Sequence, residues 1–553
     1  MSQSHRLPDG GRIDRSRSLS FLFDGNRYEG HPGDTLASAL IANGVHLVGR
    51  SFKYHRPRGI FSAGSEEPNA LIQLGLGNHT EPNLRAPQIE LYDGLVASSQ
   101  NRFPSLSFDL GEVNDIAAPL IPSGFYYKTF MWPKRGWMSY ERAIRRMAGL
   151  GRAPDGPDPD IYEHRHAHCD VLVAGGGVTG LAAALAAGRA GARVILADEQ
   201  AEMGGWLLSE GDGETGTRIS GKPAADWVEK TVAELAAMEN VTLLRRTTAF
   251  GYYDHNWLGL AERVTDHLGP FAPPHLPRQR LWKLRAKQVV LAAGAIERPL
   301  VFSGNDRPGI LLAGAVRSYV ARYGTRPGNA LVVVTSNDSG YLTALEAHRA
   351  GIGVAAIVDT RPTADGALPQ AARKAGLRIY QGHGVIGTTG RLRVDGVRLA
   401  KLSADGGRIE GKGFGIPCDL VAMSGGWNPN VSLFSQSRGK LSFREADGVF
   451  IPGQATQPLR SAGMGNGVLS TADCLAQGFA AGTAAANDTG FTGRKGAQPE
   501  DRGAGGPGSL PHLAAAAGKA AGAREMLRRF PERRHRRRPE AGGARGASGR
   551  SSM

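Results

Sequence analysis

Three glycines at fixed spacing carry the first chemistry in this sequence. The run Asp170–Gly180 reads DVLVAGGGVTG and contains GxGxxG at Gly175, Gly177 and Gly180. Gly175 permits a tight turn from strand to helix, Gly177 lets a pyrophosphate reach the backbone, and Gly180 lets the helix lie close to the strand. The amides opening that helix face the phosphates, where the helix dipole favours negative charge. Asp198, 21 residues beyond Gly177, ends a second apolar strand in ARVILADEQ. A carboxylate there can hydrogen-bond both ribose hydroxyls and would repel a 2′-phosphate, so NAD or FAD is expected over NADP.

Two later segments have the same character. VVLAAGAIERP (289–299) has the shape of a strand crossing under a cofactor, followed by a turn. GVFIPGQAT (448–456) is similar to the late strand that approaches a flavin in many flavoproteins. Those carry an acid after the glycine, but here Gln454 follows Gly453, which favours NAD over FAD in this chain. A second nucleotide-type strand, Val332–Val334, runs into TSNDSG without a GxGxxG, so no pyrophosphate is assigned to it. No CxxC or GxSxG is present. His164, His166 and His168 share a face only if HRHAHC is extended, and they read as a solvated entry to the first strand rather than a metal site. RSFKYHRPRG (50–59), basic with two aromatics, reads as a loop packed on a neighbouring protein or a solvated face. No catalytic residue and no metal ligand is therefore assigned.

The elements that must position these residues follow from periodicity and turn signals. Residues 1–17 are expected to be disordered. LSFLFDGNRYEGHP (18–31) reads as two strands around the hairpin signal Asp24–Gly25. Asp34 is the expected N-cap of the helix TLASALIANG, which ends at Gly44. Together with short strands to residue 110 this makes a small α+β module. Residues 111–165 form a Pro-rich connector holding FYYKTFMWP and the linker APDGPDPD. From Cys169 apolar strands alternate with helical stretches, with strands at 287–294, 329–336, 353–359 and 419–426. The expected fold is α/β, a doubly wound Rossmann-type arrangement with two dinucleotide-type halves. The first half spans 166–325, the second is inserted at 326–417, and 418–487 returns to the first.

Composition narrows the function class. Of the net charge of +15, residues 491–553 supply +9, with 14 Lys/Arg against five Asp/Glu. The remainder is only mildly basic, which argues against a nucleic-acid binder. The tail 488–553 is Gly/Ala/Arg/Pro-rich and is expected to be disordered. Its composition is that of GC-rich coding sequence read out of frame. No apolar run reaches the roughly 18 residues that span a membrane, and the polar N-terminus lacks a secretion signal. Cys169, Cys418 and Cys474 are far apart in the chain, so neither a disulfide framework nor a thiol redox pair is expected, and a cytoplasmic location is the default.

Longer segments carry a family resemblance. RSFKYHRPRGIFSAG, DVLVAGGGVTGLAAALAAGRAGARVILADEQ, AKQVVLAAGAIERP, NDRPGILLAGAVRSY and SGGWNPNVSLFSQSRGKL, collinear over residues 15–487, resemble the alpha subunits of heterotetrameric sarcosine oxidases. The resemblance implies a complex with beta, gamma and delta subunits that oxidises sarcosine with oxygen to glycine, formaldehyde and hydrogen peroxide. With folate present, the one-carbon unit passes to tetrahydrofolate. It implies NAD in this chain, FAD and the amine-oxidation site in the beta subunit, and FMN at the alpha–beta interface. It places NAD contacts at Thr179, Asp198, Glu199, Gln200, Trp206, Ala249, Met464, Leu469 and Thr471, beside the glycines; Thr179 and Trp206 depart from the family pattern, which implies backbone contacts there. It also implies a ferredoxin-like fold for the first module, whose relatives carry clustered cysteines after a stretch like RGIF. Here Phe61 is followed by SAGSEEPNALIQL, without a cysteine, so no Fe–S cluster is expected. The family's alpha chain continues into a folate-binding, aminomethyltransferase-like domain that this sequence lacks. If the sequence is the natural product, folate coupling would be lost or supplied by another chain.

Competing readings are a stand-alone NAD/FAD reductase of the disulfide-reductase type, a scaffold that binds NAD structurally, and a subunit of a related opine or proline dehydrogenase. Missing redox cysteines count against the first, and a substrate panel separates the last.

Overall fold

The architecture comes from a computed structural model, which describes residues 3–120, 124, 132–149, 151–211 and 216–492. Residues 125–131 of the aromatic connector and the tail from 493 lie outside the described residues.

The first module is a five-stranded sheet with one helix. Strands β1 (Leu19–Phe23) and β2 (Asn26–Gly30) form a hairpin. Its turn residues Asp24 and Gly25 both have positive φ (49° and 79°), the geometry that matches strand twist in two-residue hairpins. Helix α1 (Leu36–Ala42) follows, then β3 (Leu71–Leu74), β4 (Glu81–Arg85) and β5 (Leu95–Ser99), in spatial order β2-β1-β5-β3-β4. Thr35, not Asp34, is the N-cap of α1, in a capping box with Ser38. Asp34 instead accepts from Ser38 Oγ (2.7 Å) and the His31 amide (2.9 Å), and pairs with Arg6 (2.6 Å). That ion pair corrects the expectation of a disordered N-terminus. Leu7 N and Arg12 N also donate to the carbonyls of Gly324 and Arg322, so residues 3–17 are strapped across the body of the protein.

The first nucleotide half runs β6 (Tyr162–Ala174), α2 (Val178–Arg189), β7 (Val194–Ala197), α3 (Ala224–Ala236), β8 (Val241–Leu244), β9 (Thr247–Tyr253), β10 (Trp257–Arg263) and β11 (Gln279–Leu291). The order β8-β7-β6-β11-β10-β9 is parallel in its first four strands and antiparallel in the last two. Val171–Val173, Val194–Ala197 and Val289–Leu291 are buried in its centre. These apolar runs suit a sheet covered on both faces.

After β12 (Ala295–Glu297) come β13 (Ile310–Leu312), α4 (Ala313–Arg317), β14 (Ala330–Thr335), α5 (Ser339–Arg349), β15 (Gly353–Asp359), α6 (Ala367–Lys374) and β16 (Ile379–Gln381), then β17 (Leu420–Ser424) and β18 (Trp427–Pro429). The second sheet has the order β13-β17-β14-β15-β16, all parallel. The expected boundaries therefore shift. The strand at 419–426 belongs to the second half, and so does 310–312. The chain returns to the first sheet only at β19 (Leu459–Ser461), beside β11, and at helix α7 (Thr471–Asp488). One continuous apolar cluster joins the module's Phe21, Leu40, Ile72 and Leu95 to Leu312, Tyr319, Val333 and Met423 of the second half.

Candidate dinucleotide site

The site is built where β6 turns into α2. Gly175 has φ +107°, and a Cβ there would overlap the Ala292 carbonyl oxygen. A Cβ on Gly180 would overlap the carbonyl oxygen of Gly175, so the first turn of α2 lies directly on the strand end. Gly177, the N-cap of α2, is different: the nearest atom to a Cβ there is Gly205 Cα at 4.0 Å. No side chain caps the helix, so its first amides are free of intrahelical partners and available to an anion. Gly204 N donates to Gly176 O at 2.8 Å, which sets a second glycine pair, Gly204–Gly205, against the turn.

Asp198 does not do what the sequence spacing suggests. Its Oδ2 accepts from Gly176 N at 2.6 Å and its Oδ1 from Gln200 N at 2.8 Å. Both oxygens bind backbone, and the side chain ties the glycine turn to the end of β7. Burial pushes its carboxyl up, against the pull of those amides. Glu199, next in the chain, meets the first module instead. Its Oε1 accepts from Ser65 Oγ at 3.0 Å, the one donor to this carboxylate among the described residues. Burial, and after it the neighbouring Asp198 and Glu66 carboxylates, push the Glu199 carboxyl up.

The other expected residues divide. Thr179 is buried, and the Gly463–Asn466 turn holding Met464 packs on it, since a Cβ at Gly463 would overlap Thr179 Oγ1. Gly478 and Gly482 likewise let α7 lie against Thr179 and Ala183 of α2. Leu469 and Thr471 sit where that turn enters α7, whose N-cap is Ser470. Ala249 lies on β9, two residues beyond Thr247, whose amide donates to Asp198 O at 2.7 Å. The Gln200 side chain is held by Arg322. The Trp206 ring is turned to the second half, edge-on to Trp427 (5.2 Å between centroids) and under the Arg317 guanidinium (4.5 Å).

The second half fills its own nucleotide turn. Asn337 Oδ1 accepts from Ser339 N (3.0 Å), Asp338 pairs with Arg361 (2.8 Å), and Arg361 also pairs with the buried Asp359 (2.7 Å). These side-chain bonds tie the turn after β14 to the end of β15.

Sequence reasoning missed Ser65 and Glu297. Ser65 carries no local signal. Glu297, in the AIERP turn, is buried; its Oε2 accepts from Gly314 N at 2.7 Å and its Oε1 has no hydrogen-bond partner among the described residues. Burial pushes this carboxyl up to about 7 from 4.5. Folded Glu297 keeps its proton to about pH 7, whereas an unfolded glutamate has lost it by about pH 5. The fold therefore loses stability as pH rises from about 4.5 through 7, by on the order of 3 kcal/mol in total. Glu297→Gln removes that loss. Its melting temperature will exceed that of the wild type by a few degrees at pH 8, with a smaller difference at pH 5, in paired thermal melts.

Comparison with known families places this geometry. The 2Fe-2S iron-sulfur cluster binding domain matches residues 16–102. Pyridine nucleotide-disulphide oxidoreductase matches residues 169–453, more than half of the chain. The chain belongs to the pyridine nucleotide-disulphide oxidoreductase family. It is 49% identical over 489 residues to the sarcosine oxidase alpha subunit of Rhizobium meliloti (strain 1021), covering 88% of this chain and 48% of that protein. It is 40% identical over 499 residues to the sarcosine oxidase alpha subunit of Corynebacterium sp. (strain P-1), covering 89% and 46%. The chain thus spans about half the length of these curated relatives. Among solved structures, L-proline dehydrogenase from P. horikoshii superposes with TM-score 0.57 at 19% identity, over 88% of this chain and 77% of that one, a likeness of fold.

Two parts of these family names do not fit the residues of this oxidoreductase. Residues 16–102 contain no cysteine, so the four thiolates of a [2Fe–2S] centre are missing there. Among the described residues no group of three or more His, Cys, Asp or Glu could hold a metal ion. The cysteines are separate and buried, and burial pushes their thiols up to about 12 (Cys169), 12 (Cys418) and 11 (Cys474). None is a dithiol partner or a reactive thiolate. No described helix is long and apolar enough to cross a membrane.

Proposed function

We propose that the chain is the NAD-binding alpha subunit of a multimeric, flavin-dependent sarcosine oxidase. The overall reaction is sarcosine, oxygen and water to glycine, formaldehyde and hydrogen peroxide, with the one-carbon unit delivered to tetrahydrofolate when folate is present. The observation that carries this reading is the glycine turn Gly175–Gly180 with the uncapped amides that open α2, followed after β7 by the Glu199 carboxylate, which is bonded through one oxygen only. The residues fit NAD: the amides of α2 would hold the diphosphate and Glu199 the adenosine ribose, with Thr179, Ala249, Met464, Leu469 and Thr471 as the further contacts we assign to it. NAD supplies hydride chemistry when bound, and this chain contributes binding and orientation. Amine oxidation is assigned to a partner beta subunit carrying FAD, with FMN at the interface and gamma and delta subunits completing the complex. The absence of a reactive thiolate or metal cluster among the described residues supports a partner-borne reaction over a stand-alone dithiol reductase.

Purified full-length chain will show a thermal shift with NAD and none with NADP, and will release peroxide from sarcosine only after co-purification with its partners. A folded sample that shifts with neither NAD nor FAD overturns the reading. Similarity to an opine oxidase subunit of Agrobacterium tumefaciens (strain Ach5), 30% over 192 residues, covering 34% of this chain and 37% of that one, keeps a related secondary-amine substrate as the second reading. Turnover of an opine but not of sarcosine by the assembled complex selects it.

A further inference from the structure

This inference rests on the NAD reading above and concerns a loop of the other domain. Residues 61–70 lie in the module whose domain family is named for 2Fe-2S binding. Here the loop closes on a carboxylate. Glu67 is buried, its Oε2 accepts from Phe61 N (2.8 Å) and Ser62 N (2.6 Å), and its Oε1 accepts from Asn69 N (2.7 Å) and Ala70 N (2.9 Å). The loop is fixed to the second half as well, because Phe61 O accepts from Leu312 N and Ser62 O from Tyr319 Oη. What it presents at its tip is Ser65, bonded to Glu199, and the exposed Glu66. Arg263 completes the arrangement: Nη1 donates to Gln88 O of the module at 2.6 Å and Nη2 to Glu199 O at 2.8 Å.

We propose that this loop forms the outer wall of the adenosine pocket, with Ser65 positioning the Glu199 carboxylate and Glu66 setting a negative rim that rejects a 2′-phosphate. Asp198 cannot do this, since both of its oxygens are bonded to backbone amides. Glu199 held through Oε1 has its second oxygen left for a diol. A 2′-phosphate would meet two carboxylates at once, whereas a 2′-hydroxyl can donate to one of them. Ser65 is a positioning residue, and Glu66 determines specificity.

The test is the full chain with Ser65→Ala, Ser65→Thr, Glu66→Gln and Glu66→Lys, titrated with NAD and NADP by thermal shift. Ser65→Ala weakens NAD about tenfold, and Ser65→Thr restores it. Glu66→Lys narrows the NAD-to-NADP preference by at least about tenfold, Glu66→Gln by less, with the melting temperature of the unliganded protein unchanged. A loop that is only structural would lower the unliganded melting temperature and weaken both dinucleotides equally. Unchanged NAD affinity in Ser65→Ala, or an unchanged preference in both Glu66 variants, overturns the inference while the wild type still binds NAD. A wild type that binds neither NAD nor FAD overturns the dinucleotide reading, and this inference with it.

Discussion

Gly180→Ala destroys the first nucleotide half, whereas Gly177→Ala leaves it standing and empties it. At Gly180 a methyl group would overlap the carbonyl oxygen of Gly175 and crowd its carbonyl carbon at 2.9 Å, backbone that follows directly on the end of β6. Inserting one methyl group into a packed core costs about 1–3 kcal/mol when side chains can shift. Here the obstacle is backbone, and α2 is pinned from behind by α7 through Gly478 and Gly482. The cost belongs with the exceptional substitutions, above about 4 kcal/mol. The expected result is insoluble protein or a melting temperature lower by ten degrees or more. At Gly177 the backbone (φ −72°) suits alanine and the nearest atom is 4.0 Å away. That variant will melt within a few degrees of the wild type and lose its NAD-dependent shift, because under the proposed function its methyl group would stand where the diphosphate meets the amides. Equal melting of Gly180→Ala and wild type would contradict the packing of α2 on β6.

The second large effect is expected at Glu67. Truncation to alanine strips partners from four amides that converge on a buried carboxylate. Each unpaired amide costs about 1–3 kcal/mol if water cannot reach it. Some loop rearrangement is certain, which brings the total to about 3–5 kcal/mol. Glu67→Gln is the informative partner. Each carboxylate oxygen accepts from two amides, so a carboxamide satisfies one pair and turns a donor toward the other. It will recover about half of the loss. Urea midpoints of the three proteins measure this, and a Glu67→Ala protein as stable as wild type would show that the loop needs no anion.

Some of this was legible in the sequence, for reasons that differ by residue. The turn at Gly175–Gly180 is local: strand, glycines and helix lie within a short stretch, and each glycine has its own steric reason. The carboxylate was less legible. Asp198 and Glu199 are adjacent, and their spacing from the glycines separates them by one residue. Both follow the end of β7, and one of them binds the glycine turn while the other meets Ser65 of the first module. Only the structure shows which. The sheet to which Leu420–Ser424 belongs was illegible too, since a buried apolar strand looks the same whichever parallel neighbours it has. The N-terminal strap was hidden because its order comes from Asp34, Arg322 and Gly324, far away in sequence. Ser65 was hidden for the same reason, because its partner is 134 positions on.

The shared interior of the ferredoxin-like module and the second half has a mechanical consequence. Carriers that shuttle electrons do so by swinging on a tether, and their surfaces are built to let go. Here the apolar side chains beneath the module are also those beneath the neighbouring sheet, and the Arg246–Glu90 pair rivets the seam to the first half. Freeing the module would expose the hydrophobic centre of its neighbour, so it is a fixed flank of the protein rather than a mobile messenger.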